Sequence, residues 1–165
     1  MKRIHLKLII LFFTSVQFTY GQSAKETLDY INFKQEAFKF KNNEGDIFQY
    51  AINITDTLGR KSIVIAQIAS IAGLIVRKDY LASPINKIVA VEASNDEIGR
   101  PQIKIFADNP GFYKWDLLNN TETFDSIIEI TLSKNTDTEQ MKTLVNAYGH
   151  LIYVNGGKDL KDKFK

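Results

Sequence analysis

Ile47-Phe48-Gln49-Tyr50-Ala51-Ile52-Asn53-Ile54, then Asp56-Thr57-Leu58-Gly59, then Ile63-Val64-Ile65-Ala66-Gln67-Ile68, is a strand, a turn and a return strand in sequence. Phe48, Tyr50, Ile52 and Ile54 fall on every second position and alternate with Ile47, Gln49, Ala51 and Asn53. A two-residue period sends alternate side chains to opposite faces of a strand, so one face is buried and the other is mostly wet. Asp56 to Gly59 carries the chemistry of a hairpin turn. The return run, Ile63 to Ile68, is dense in β-branched residues and suits a sheet interior. Strands joined by so short a connection pair antiparallel.

The same reasoning extends in both directions. Lys87 to Ala93, Gln102 to Ala107 and Phe124 to Leu132 read as further strands. Asn95 to Arg100 and Asp108-Asn109-Pro110-Gly111 read as turns. Ala69 to Leu74 fits either a continued strand or a short helical turn around Gly73. Upstream, Ser23 to Glu26 is a capping box. Leu28, Ile31, Gln35 and Phe38 follow at helical spacing, with Tyr30, Phe33, Ala37 and Phe40 widening the apolar side, which predicts a helix from about 24 to 39. Near the other end, Thr136 and Glu139 form a second capping box, with Thr138 as an alternative cap. Leu144, Ala147, Tyr148, Leu151 and Ile152 then make one apolar stripe. Asn155-Gly156-Gly157 stops that helix, with glycine available for a left-handed C-cap.

Helix, a run of strands, helix: this order predicts an α+β fold. The expected form is an antiparallel curved sheet or half-open barrel of about six to seven strands, with an N-terminal helix and a C-terminal closing helix. Over roughly residues 45–155 that order resembles the pleckstrin-homology-like superfold, whose last helix plugs one end of a barrel. The resemblance rests on element order and on no sequence motif, and the helix before the first strand departs from the simplest version.

Residues 1–21 look like an export signal. Lys2, Arg3 and Lys7 make a positive n-region, Leu8 to Phe13 begin a short apolar h-region, and Thr19-Tyr20-Gly21 suits cleavage before Gln22. Thr14, Ser15, Gln17 and Thr19 dilute the apolar run below what a spanning helix of ~20 residues needs. The ending Tyr-Gly-Gln resembles exported proteins of Gram-negative bacteria. The expected location is therefore periplasmic or extracellular, with no transmembrane span after cleavage. The expected organisation is the signal, one globular domain over 22–157, and a mobile tail over 158–165 that alternates lysine with Asp159 and Asp162. Without Lys2, Arg3 and Lys7 the chain is close to neutral, having 21 basic and 19 acidic residues in full. Near-neutral charge argues against nucleic acid, whose binding needs many neutralised phosphates.

The chain has no cysteine. That excludes disulfides, acylation at cysteine, thiolate zinc sites and cysteine nucleophiles. Of two histidines, only His150 lies beyond the signal. It sits beside the apolar stripe and reads as a half-exposed helix histidine rather than a general base. Neither a Gly-x-Ser-x-Gly elbow nor a Ser-x-x-Lys pair offers it a nucleophile. Asn95-Asp96-Glu97 lacks calcium-loop spacing. No metal, cofactor or catalytic residue is expected. The scattered carboxylates, among them Asp46, Asp56, Asp79, Asp116, Glu122 and Glu129, fall mostly in turns or on wet strand faces.

The preferred binding residues are Phe112, Tyr113 and Trp115, an aromatic cluster read as a loop after Asn109-Pro110-Gly111, with Asn119-Asn120-Thr121-Glu122 continuing the loop. Such rings pair a large apolar body with a polar tip and can stack a sugar or enter a lipid interface. The resulting expectation is an exported, non-enzymatic binding domain for a small apolar or amphiphilic ligand or for an envelope protein partner. The alternatives are a carboxylate-based glycan hydrolase and an assembly protein using an exposed strand edge.

Overall fold

The computed structural model describes residues 23–41, 45–109 and 111–160. The export signal expected over 1–21 and the end of the expected tail, 161–165, lie outside the described residues. In chain order the elements are helix α1 (Ala24–Ala37), strands β1 (Phe40–Lys41), β2 (Ile47–Thr57), β3 (Arg60–Ile71) and β4 (Leu74–Pro84), a 3-10 turn (Ile85–Lys87), strands β5 (Ile88–Asn95), β6 (Pro101–Ala107), β7 (Phe112–Asp116), β8 (Thr121–Asp125) and β9 (Ile127–Thr131), and helix α2 (Thr138–Val154). All strand pairs are antiparallel. The α+β class and both flanking helices are as the sequence predicts. The strands divide between two open sheets, a large one ordered β1-β2-β3-β4-β7-β8 and a small one ordered β5-β6-β9.

The decisive hairpin forms as its alternation requires. Ile52 lies opposite Ile65 and Ile54 opposite Ile63. Tyr50 and Ile52 are buried, whereas Gln49, Ala51 and Asn53 are exposed. Leu58 and Gly59 turn the chain with φ of 54° and 77°. Two positive φ values are what a tight hairpin turn between twisted strands needs. The Asp56 carboxylate accepts the Gly59 amide at 2.9 Å.

The ambiguous stretch resolves as strand. Ala69–Ile71 completes β3, Ala72 and Gly73 turn with φ of 49° and 80°, and β4 runs back from Leu74. Most of β4 lacks a strand pattern in its sequence. Its first residues, Leu74, Ile75 and Val76, are exposed on successive positions, so no two-residue burial pattern marks them. The strand read as Phe124 to Leu132 is also divided. Ser126 bends the chain, so Phe124 and Asp125 end β8 in the large sheet while Ile127–Thr131 forms β9 in the small one.

The core is built from three surfaces. The inner face of the large sheet gives Tyr50, Ile52, Ile63, Ile65, Leu81 and Phe112. The small sheet gives Val91, Ile103, Ile105, Ile128 and Ile130. Helix α2 gives Leu144, Val145, Tyr148, Leu151 and Ile152. Each such side chain contributes about 1.5–3 kcal/mol on burial. Helix α2 packs on α1, β5 and β6, and α1 packs on β2. Contact on several sides makes the buried arc of α2 wider than one stripe, and His150, expected to be half exposed, is 2% exposed.

Helix α1 buries Thr27, Ile31 and Gln35. The Gln35 side-chain amide donates to the Tyr148 hydroxyl, tying the two helices together. Phe33, expected on the apolar side, is exposed, and its ring lies 5.9 Å from the Lys34 ammonium. Asp137, not Thr136 or Thr138, caps α2, with Gln140 closing the box. Thr136 is buried, and a carboxylate complements the helix N-terminus better than a hydroxyl does. At the other end Gly156 takes φ of 90°, its amide bonds Tyr153 O, and the Gly157 amide bonds Ile152 O. This is a Schellman closure. Leu160, in the expected tail, is buried; it packs beside Gly149.

Candidate binding surface

Strand alternation divides the predicted aromatic cluster. Phe112 points inward and is 0% exposed. Tyr113 and Trp115, on either side of Lys114, do not share one face with it. Both lie on the outer face, in two rows that cross the large sheet. One row reads Ala51, Ala66, Tyr80, Trp115, Glu122, and the other Asn53, Val64, Ala82, Tyr113, Phe124. Four aromatic rings from three adjacent strands therefore meet on one face. Tyr80 is 42%, Trp115 39% and Phe124 64% exposed. Ala51, Ala66 and Ala82 supply a low floor beside them.

The segment expected to be a loop is thus a hairpin, and only Leu117–Asn120 turns. Tyr80 lies in β4, which no alternation marks, and Phe124 opens a run that reads as one strand with Ile127–Thr131; register alone sets both rings beside Tyr113 and Trp115. Phe112 to Trp115 sets aromatic rings on both faces, so polarity does not alternate. Strand β8 is a polar edge whose signal is the pair of β-branched residues Thr121 and Thr123. The turn itself is specified locally. The Asp116 carboxylate accepts the amides of Leu118 at 2.9 Å and Asn119 at 3.1 Å, and the Asn119 side chain at 2.7 Å. These bonds, the Asn119 side chain foremost, hold the Asp116 carboxyl below the usual carboxylate range.

Polar groups fix the rings. Trp115 Nε1 donates to Asn120 Oδ1 at 3.4 Å. Tyr113 packs edge-on against Phe124 with centroids 5.7 Å apart. A hydrogen bond to Glu122 pushes the Tyr113 hydroxyl above its ordinary pKa. The arrangement can exclude water from an apolar partner over the rings while offering hydrogen bonds at the rim.

The carboxylates are engaged in other ways. Asp79 is the one buried carboxylate among the described residues. Its Oδ2 lies 2.7 Å from Arg77 Nε and 3.4 Å from Lys114 Nζ. Asp116 stands opposite it in register, but its oxygens serve the turn. In the Asn95–Arg100 turn, burial raises the Asp96 carboxyl. Hydrogen bonds from the Arg100 amide and guanidinium and from the Ile98 amide outweigh that and hold it below its ordinary value. A glycosidase acid needs the opposite displacement. Ser126, read as part of a strand, lies in the bend between β8 and β9.

Among the described residues, no group of three His, Asp or Glu side chains could hold a metal, and no helix is long and apolar enough to cross a membrane. No family model, curated protein or solved structure matches the chain.

Proposed function

We propose that the chain is an exported, non-enzymatic binding domain that docks another protein of the cell envelope on the aromatic face of its large sheet. Export rests on the sequence of residues 1–21. The observation that carries the binding reading is the convergence of Tyr80, Tyr113, Trp115 and Phe124 on one exposed face. Tryptophan and tyrosine dominate the energetic centres of protein interfaces, because they bury large area for few rotatable bonds. A small apolar ligand is ordinarily enclosed in a concave pocket. A sheet face with an alanine floor is open, which favours a macromolecular surface over an engulfed molecule. The lowered carboxyls of Asp96 and Asp116 do not suit the acid of a glycosidase, whose pKa must be raised.

The test is affinity isolation from the host envelope with the native chain and with Tyr80→Ala/Trp115→Ala. A specific protein partner retained by the native chain and reduced at least about tenfold by the double variant is the expected result. An identical retained set would show that the aromatic face is not the docking surface. A glycan turned over by the native chain and spared by an Asp or Glu variant would replace binding with hydrolysis.

A further inference from the structure

Three chain segments end together at the foot of the large sheet. The β2–β3 turn brings Gly59, Arg60 and Lys61. The end of β4 and the 3-10 turn bring Pro84 to Lys87. The C-cap of α2 brings Asn155 and Gly156. Between them lies an open cleft of about 530 Å³. Small-molecule sites span roughly 300–1,000 Å³. Register explains the meeting, since Ser62 pairs with Pro84 and so sets the start of β3 beside the end of β4. Gly157 lets the helix end approach, because a Cβ there would lie 2.9 Å from Ile85 Cγ2.

Arg60, Lys61 and Lys87 line this cleft and no carboxylate does. Among the described residues none of the three cations forms an ion pair. Lys61 lies opposite Asp56 in register, yet the Asp56 carboxylate accepts the Gly59 amide and Lys61 Nζ donates instead to Asn155 Oδ1 at 3.1 Å. The carbonyl end of α2 favours one nearby cation, and Lys61 fills that role. Among the described residues Arg60 and Lys87 have no carboxylate partner within salt-bridge distance, although the chain has nearly equal numbers of acids and bases to distribute.

We propose that the cleft binds a multivalent oxyanion carried on a small organic ligand. The Arg60 guanidinium is a planar fork that matches two oxygens of one phosphate or carboxylate, and Lys61 and Lys87 add mobile point charges. Pro84 and Ile85 form an apolar wall, and the volume exceeds that of a bare anion, leaving room for the group that bears it.

The probes are pyrophosphate and citrate, titrated into the isotopically labelled chain at constant ionic strength with chloride as control. Vesicles containing phosphatidylglycerol form a parallel arm. The expected result is saturable movement of the amides of Arg60, Lys61, Asn86 and Gly156, with affinity falling at least about tenfold in Arg60→Gln/Lys87→Gln at unchanged Tm. Dependence on the same two residues in the vesicle arm alone would assign the oxyanion to a lipid headgroup. Shifts that follow ionic strength without saturating, or equal binding by the double variant, would overturn the proposal.

Discussion

Neighbouring aromatic residues in β7 lie on opposite faces of the sheet, and truncation separates them. Phe112→Ala empties a fully buried site and is expected to destabilise the fold by about 3–5 kcal/mol. Trp115→Ala, on the outer face, is expected to change stability by no more than about 1 kcal/mol while weakening partner binding at least about tenfold. Urea unfolding and a binding titration on the two variants check this division. Leu58 offers a test of backbone strain. It is fully exposed and holds φ of 54°, a conformation that costs a branched side chain roughly 1 kcal/mol and suits asparagine. Leu58→Asn is expected to stabilise the chain by about 0.5–1 kcal/mol, read as a higher urea midpoint with unchanged slope.

Two acid-closed turns give the elements a pH dependence of known sign. The carboxyls of Asp96 and Asp116 sit lower in the folded chain than in the unfolded one. Their contribution is therefore complete above the unfolded carboxylate value of about 3.9, and is lost as pH falls through the lower folded values. Stability should hold from pH 7 to about pH 5 and decline below about pH 4. Asp96→Asn/Asp116→Asn should lower the midpoint at pH 7 and reduce the acid decline, as urea curves across that range would show. Elements closed by local chemistry were also the legible ones. The β2–β3 hairpin follows from the alternation of Phe48 to Ile54, α1 starts at its Ser23–Glu26 box, and α2 stops at Gly156. Strands defined by their neighbours were not. Strand β4 gains its place from pairing with β3 and β7, and Thr121 to Asp125 is polar because it is an edge. The aromatic face was half legible for that reason: Tyr113 and Trp115 could be found in the sequence, but Tyr80 and Phe124 join them only through register.

At the scale of the molecule, burial predicts where the chain opens first. Strand β6 is buried along most of its length between β5 and β9, whereas β8 is exposed throughout and the β3–β4 tip bears exposed Ile71, Leu74, Ile75 and Val76. Native-state hydrogen exchange should be slowest at Ile103, Ile105 and the buried positions of α2, and fastest in β8 and the β3–β4 tip. Equal protection in β8 and β6 would contradict the layered core. The same layering leaves one face of the large sheet uncovered by α1, α2 or the small sheet, and the proposed partner would cover it. The most direct test places a photo-cross-linking residue at Phe124 in the host, with Glu139, exposed at the start of α2, as the control position. A discrete protein adduct from position 124 and none from 139 is the predicted result; no adduct at 124, or equal adducts at both positions, would contradict it.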